Sequence, residues 1–197
     1  VNVLNCLMFF PGFVVLVYYA KPIITTLFTS AYLPAVPIFN IYALFLLRRC
    51  FNTDVLLRTT GRTGFMFWGT VGSLALNVVL IVLFSRTMGL IGPAIAFISA
   101  EIALEVYYAR QMLRTLGLSV ADLADWNSIL RITASCVLSF PILIGFDLIR
   151  VPELLRMSIA SGTYFLVVLL LAYHFGISDI GRVIGFLCSR LSRAPAR

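Results

Sequence analysis

Long apolar runs without alternation dominate this chain. They stand at 3–27, 36–57, 65–84, 90–110, 130–148 and 157–175, and crossing a hydrocarbon core takes about 20 helical residues. Turn chemistry separates them: Ser30-Ala31-Tyr32-Leu33-Pro34, Thr59-Thr60-Gly61-Arg62-Thr63-Gly64, Arg86-Thr87-Met88-Gly89 and Ile149-Arg150-Val151-Pro152-Glu153. Backbone groups in lipid must be paired within a helix or a closed barrel. Continuous apolar runs predict helices, so the expected fold class is an all-α integral membrane protein with six transmembrane helices. Two further segments read as interfacial. Ile177, Ile180, Ile184, Leu187 and Leu191 recur at helical spacing between arginines, which suits a basic amphipathic helix or a frayed tail. Gly117 to Trp126 carries Asp122 and Asp125 and ends on an aromatic suited to the interface.

Composition agrees. Of 197 residues 61% are hydrophobic and 12% charged, and the mean hydropathy is +1.02. A soluble domain carries about 25% charged residues, so this chain could not cover a water-facing surface, and a soluble enzyme or nucleic-acid-binding module is excluded. The formal charge of +7 therefore bears on orientation. Nine basic residues fall in one set of alternate connections (Arg58, Arg62, Arg110, Arg114, Arg131 and the four arginines after 177), and four in the other (Lys21, Arg86, Arg150 and Arg156). The positive-inside rule then places both ends of the chain in the cytoplasm. Val1 opens without the charged-then-apolar build of a signal peptide, and the chain reads as a piece of something longer. The cysteines at 6, 50, 136 and 188 are too scattered for a disulfide framework or zinc site. No metal or cofactor is expected.

Several polar residues fall within the apolar runs, where an ionisable group costs on the order of 2.5–3.5 kcal/mol at the helix centre. Arg48 and Arg49 stand near the middle of the second run, with Asn52 within a turn of both. Glu101 stands at the centre of the fourth, Glu105 one turn on, and Asn77 in the middle of the third. Three readings stay open for the arginines: structural pairs with Glu101 and Glu105, snorkelling to an interface, or an anion site, because a guanidinium offers phosphate two parallel hydrogen bonds. Arg48, Arg49, Asn52 and Asn77 are thus candidate substrate-binding residues. Glu101 and Glu105 are candidate ion-coupling residues, since two like charges a turn apart call for a compensating proton or cation. Asn77 also suits a helix–helix hydrogen bond. No catalytic constellation appears, and no enzyme activity is expected.

Four features in order resemble a known family: Ala20-Lys21-Pro22-Ile23-Ile24-Thr25-Thr26-Leu27-Phe28 followed by Ser30-Ala31-Tyr32; Leu56-Leu57-Arg58-Thr59-Thr60-Gly61-Arg62-Thr63; Leu76-Asn77-Val78; and Met88-Gly89-Leu90-Ile91-Gly92-Pro93-Ala94-Ile95-Ala96. Their order is similar to the C-terminal part of polysaccharide (O-antigen type) repeat-unit flippases, of the multidrug/oligosaccharidyl-lipid/polysaccharide exporter superfamily. The likeness covers 1–112 and departs from the family at Arg48-Arg49 and at Thr29-Ser30, where members usually carry a glycine.

The resemblance implies the C-terminal part of a two-lobed transporter of about 12–14 helices working by alternating access. On that scheme 1–112 holds four helices of the second lobe, 113–129 a cytoplasmic connection, 130–175 a C-terminal helix pair and 176–197 a basic cytoplasmic tail. The implied partners are membrane lipids, a polyprenyl-diphosphate-linked oligosaccharide and the missing N-terminal lobe, in the bacterial inner membrane. A drug or peptidoglycan-precursor exporter of the same superfamily, a membrane transferase or polymerase, and a purely structural membrane subunit are the alternatives.

Overall fold

The computed structural model describes residues 2–50, 58, 63–117, 119–149 and 151–177. Among these the chain is helical, without strands. The helices are α1 (Asn2–Tyr18), α2 (Ala20–Leu27), α3 (Val36–Ala43), α4 (Phe45–Arg48), α5 (Thr63–Met88), α6 (Gly92–Leu116), α7 (Trp126–Asp147) and α8 (Glu153–His174), with 3-10 turns at Ser30–Ala35, Gly89–Ile91 and Val120–Leu123. Four helical stretches are long and apolar enough to cross a membrane: Ser30–Arg48, Thr63–Leu116, Trp126–Asp147 and Glu153–His174. The bent pair Val3–Tyr18 and Ala20–Leu27 makes a fifth if it counts as one. This is the architecture of a multi-pass membrane protein.

The first expected run, 3–27, is not a straight crossing. It breaks between Tyr18 and Ala20 with a bend of 69°. Pro22 gives the reason: it has no amide hydrogen for the carbonyl of Tyr18, four residues back, and its ring clashes with that carbonyl. The second run also breaks, at Leu44, whose amide bonds the Ile41 carbonyl at 3.2 Å in a 3-10 step; its remainder to 57 lies outside the described residues. So does the expected amphipathic helix from 178 onward.

The chain divides into two compact units. The larger runs from Gly12 to Asp125 and is built on a helical hairpin. The 54-residue stretch Thr63–Leu116 folds back on itself at Gly89, which takes a φ of +59°. The antiparallel register is read from Tyr108, whose hydroxyl donates to the Met66 carbonyl at 3.2 Å and lies 3.0 Å from Thr70 Oγ1. Ser73 Oγ donates to the Ala100 carbonyl at 3.2 Å. The buried row of α6 recurs every four residues as Gly92, Ala96, Ala100, Leu104, Tyr108 and Met112. Small residues near the turn let the two backbones approach, and larger ones fill the space further down. On α5 no residue is buried, and Phe67, Trp68, Leu74 and Val79 are each more than 60% exposed. Such an apolar surface on a 26-residue helix suits lipid or another helix, not water.

The smaller unit joins Val3–Pro11 to the described residues from Trp126 to Ile177. Here α7 turns Ser128, Ile132, Ser135, Ser139 and Leu143 inward, and α8 answers with Ala160, Tyr164, Val168 and Ala172. Ser135 and Ser139 satisfy their buried hydroxyls on the carbonyls of Arg131 and Ser135, both at 2.8 Å. The Tyr164 hydroxyl donates across the pair to the Cys136 carbonyl at 3.2 Å. Arg131 Nη1 donates to the Phe175 carbonyl at 2.9 Å, so a cation meets the negative end of α8.

Candidate functional site

The ionic cluster lies in the larger unit, between the short α4 and the middle of α6. Glu101 and Glu105 are four residues apart, so they stand on one face of α6, a turn from each other. Arg48 reaches both: its Nη1 donates to Glu101 Oε2, and its Nε donates to Glu105 Oε2 at 3.1 Å. The guanidinium side chain is 26% exposed and each carboxylate 19%. One fork thus spans two carboxylates, and charge-assisted hydrogen bonds of this kind are about twice as strong as neutral ones. Phe45, three residues before Arg48, lies beneath both arginines, with each guanidinium carbon 5.5 Å from the ring centroid. That distance permits cation–π attraction.

A groove of about 340 Å³ runs along this cluster, within the roughly 300–1,000 Å³ of small-ligand sites. Leu44, Phe45 and Leu47 form one wall, and Ile98, Ile102 and Val106 the other, with Arg48, Glu101 and Glu105 along the seam. Phe45 also packs on Phe97, their centroids 5.6 Å apart, and Tyr42 on the same ring at 5.5 Å. These aromatic contacts hold α3 and α4 against α6 and so place Arg48.

The structure therefore brings together Arg48, Glu101 and Glu105. Arg49 is exposed and does not line the groove. Asn77 stands on α5 and does not line the groove; its Oδ1 is buried and without a hydrogen-bond partner among the described residues, and Asn40 Oδ1 on α3 is in the same condition. Asn52 lies outside the described residues. The apolar walls were not among the sequence candidates, yet a signal existed, since Ile98, Ile102 and Val106 repeat every four residues beside the two glutamates.

A second groove of about 240 Å³ lies between α5 and α6, lined by Trp68, Gly69, Gly72, Ser73 and Tyr107 among others. No group of three or more metal-ligating side chains occurs among the described residues. Set against known proteins, the chain matches no family model, no curated protein and no solved structure.

Proposed function

We propose that this chain is part of a carrier that moves a lipid-diphosphate-linked oligosaccharide across the bacterial inner membrane by alternating access, for polysaccharide biosynthesis. On this reading the chain crosses six times. The bent α1–α2 pair makes one crossing, α3 and α4 a second, and α5, α6, α7 and α8 one each. Both ends face the cytoplasm, and a partner lobe completes the cavity.

The observation that carries the reading is the Arg48–Glu101–Glu105 cluster in an otherwise apolar groove. A guanidinium donates to phosphate oxygens through the same fork that holds carboxylates. An incoming diphosphate competes with Glu101 and Glu105 for Arg48, and the displaced carboxylates then take up a proton or a monovalent cation. Substrate binding and ion binding would be linked through one exchange of partners. The order of sequence features shared with repeat-unit flippases supports the same reading.

The test is transport of a fluorescent polyprenyl-diphosphate sugar by the full-length carrier in vesicles. Arg48→Ala should abolish flipping while the protein still folds and inserts. Arg48→Lys should recover only part of it, because an ammonium cannot make the forked contact. Flipping at the parental rate by Arg48→Ala/Glu101→Ala would overturn the role assigned to this pair.

A further inference from the structure

One wall of the groove runs on into a basic stripe. Ile98, Ile102 and Val106 follow each other down α6, the last two 60% and 62% exposed. The next residues in the same row are Arg110 and Arg114, both exposed. A four-residue step turns about 40° round a helix and advances about 6 Å, so Arg110 lies almost directly beyond Val106. Neither arginine makes an ion pair or hydrogen bond among the described residues.

The aromatic residues set the height of this stripe. Trp68 on α5 and Tyr107 on α6 share one groove, and therefore one level, with Trp68 69% exposed. Tryptophan and tyrosine collect at the boundary between hydrocarbon and headgroups. With that boundary at Tyr107, Ile98 lies about 13 Å inside the hydrocarbon, and Arg110 about 4 Å out among the headgroups. Apolar wall and cations thus stand at the levels of a lipid's chain and of its phosphate.

We propose that the groove and stripe bind an anionic phospholipid from the leaflet that the Leu116 end of α6 meets. One acyl chain lies along Ile98, Ile102 and Val106, and the phosphate lies on Arg110 and Arg114. Glu101 and Glu105 both pair with Arg48, so a cation already offsets the carboxylates nearest this lipid. The proposal requires that α5 and α6 cross the bilayer; it does not depend on what the protein carries, and a carried diphosphate and the phospholipid would take the groove in turn, so the test is made without transport substrate.

The test is native mass spectrometry of the protein released from nanodiscs of equal phosphatidylglycerol and phosphatidylethanolamine. Two arginines at an interface, at about 1 kcal/mol each, correspond to a preference of roughly thirtyfold for the anionic lipid. Arg110→Gln/Arg114→Gln should bring retention to parity, whereas Arg86→Gln, at the other end of α5, should leave the preference unchanged. Ile102→Trp, which fills the groove, should lower retention of both lipids with the arginines intact. Circular dichroism of each variant should show the helix content of the parent. Equal retention of both lipids by the parent, a preference that survives Arg110→Gln/Arg114→Gln, or an equal loss in Arg86→Gln would overturn the proposal. A bimane label at Ile102→Cys should be quenched by brominated phosphatidylglycerol; no quenching would mean that protein, not lipid, covers the groove.

Discussion

Arg48 and Arg49 are chemically identical neighbours with different surroundings. Successive residues point about 100° apart round a helix, so one position can face α6 while the next turns away. The 3-10 step at Leu44, where the amide bonds three residues back instead of four, shifts the phase of everything after it. That step, and the i→i−3 bonds of Leu47 and Arg49 after it, help to aim Arg48 at Glu101 and Glu105, and no composition or spacing argument contains them. Replacing the arginine tests what the cluster contributes. Arg48→Met leaves two carboxylates a turn apart in an apolar groove, and breaking a buried pair costs about 3–5 kcal/mol; partial exposure puts this case toward the lower end. Arg48→Met/Glu101→Gln/Glu105→Gln should recover most of that loss, because the two carboxylates that Arg48 held are then neutral. Thermal unfolding in detergent measures both, and a triple variant as unstable as the single one would show that lost packing, not charge, sets the cost.

At the scale of elements, proline and glycine explain where the long apolar runs bend and where they close. Pro22 breaks the first run at Tyr18, and the signal was in the sequence, since a proline four residues after a carbonyl interrupts the helix there. Closure of the α5–α6 hairpin depends on Gly92. A methyl group at that position would sit 2.3 Å from the Phe84 carbonyl oxygen, with the Phe84 carbonyl carbon at 2.4 Å. Backbone cannot rotate aside as a side chain can, so Gly92→Ala must push the two helices apart next to the turn. Overpacking of this kind typically costs about 1–3 kcal/mol. We expect Gly92→Ala to lower the unfolding temperature and Gly72→Ala to leave it almost unchanged, because nothing lies within 4 Å of a methyl group there. Equal effects from the two would show that the close approach at Gly92 contributes nothing.

For the whole molecule, the arginine and lysine count carries a topology that labelling can check. With the native cysteines replaced, cysteines at Ser30, Arg86 and Glu153 should react with an impermeant thiol reagent applied outside the cell, and those at Thr60 and Ser119 should not. The reverse pattern would invert the proposed orientation and remove the support that the nine-to-four asymmetry gives it.

The sequence by itself determined that the chain is helical and membrane-embedded. Hydropathy over about 20 residues is a sum of local transfer free energies, and the demand that backbone groups be paired in lipid leaves the helix as the outcome. It also marked Arg48, Glu101 and Glu105 as residues that need protein around them, because charge in hydrocarbon is costly wherever the chain goes. Tertiary structure decided the rest: that Arg48 spans both glutamates, that Tyr108 closes onto Met66 and Thr70, and that the isoleucines of α6 become a groove wall. Each of these depends on the relative rotation and closeness of helices far apart in the chain. Those are set by side-chain volume at the contacts, such as Gly92 against Phe84 and Phe97 against Phe45, and a hydropathy pattern records apolarity without recording that fit.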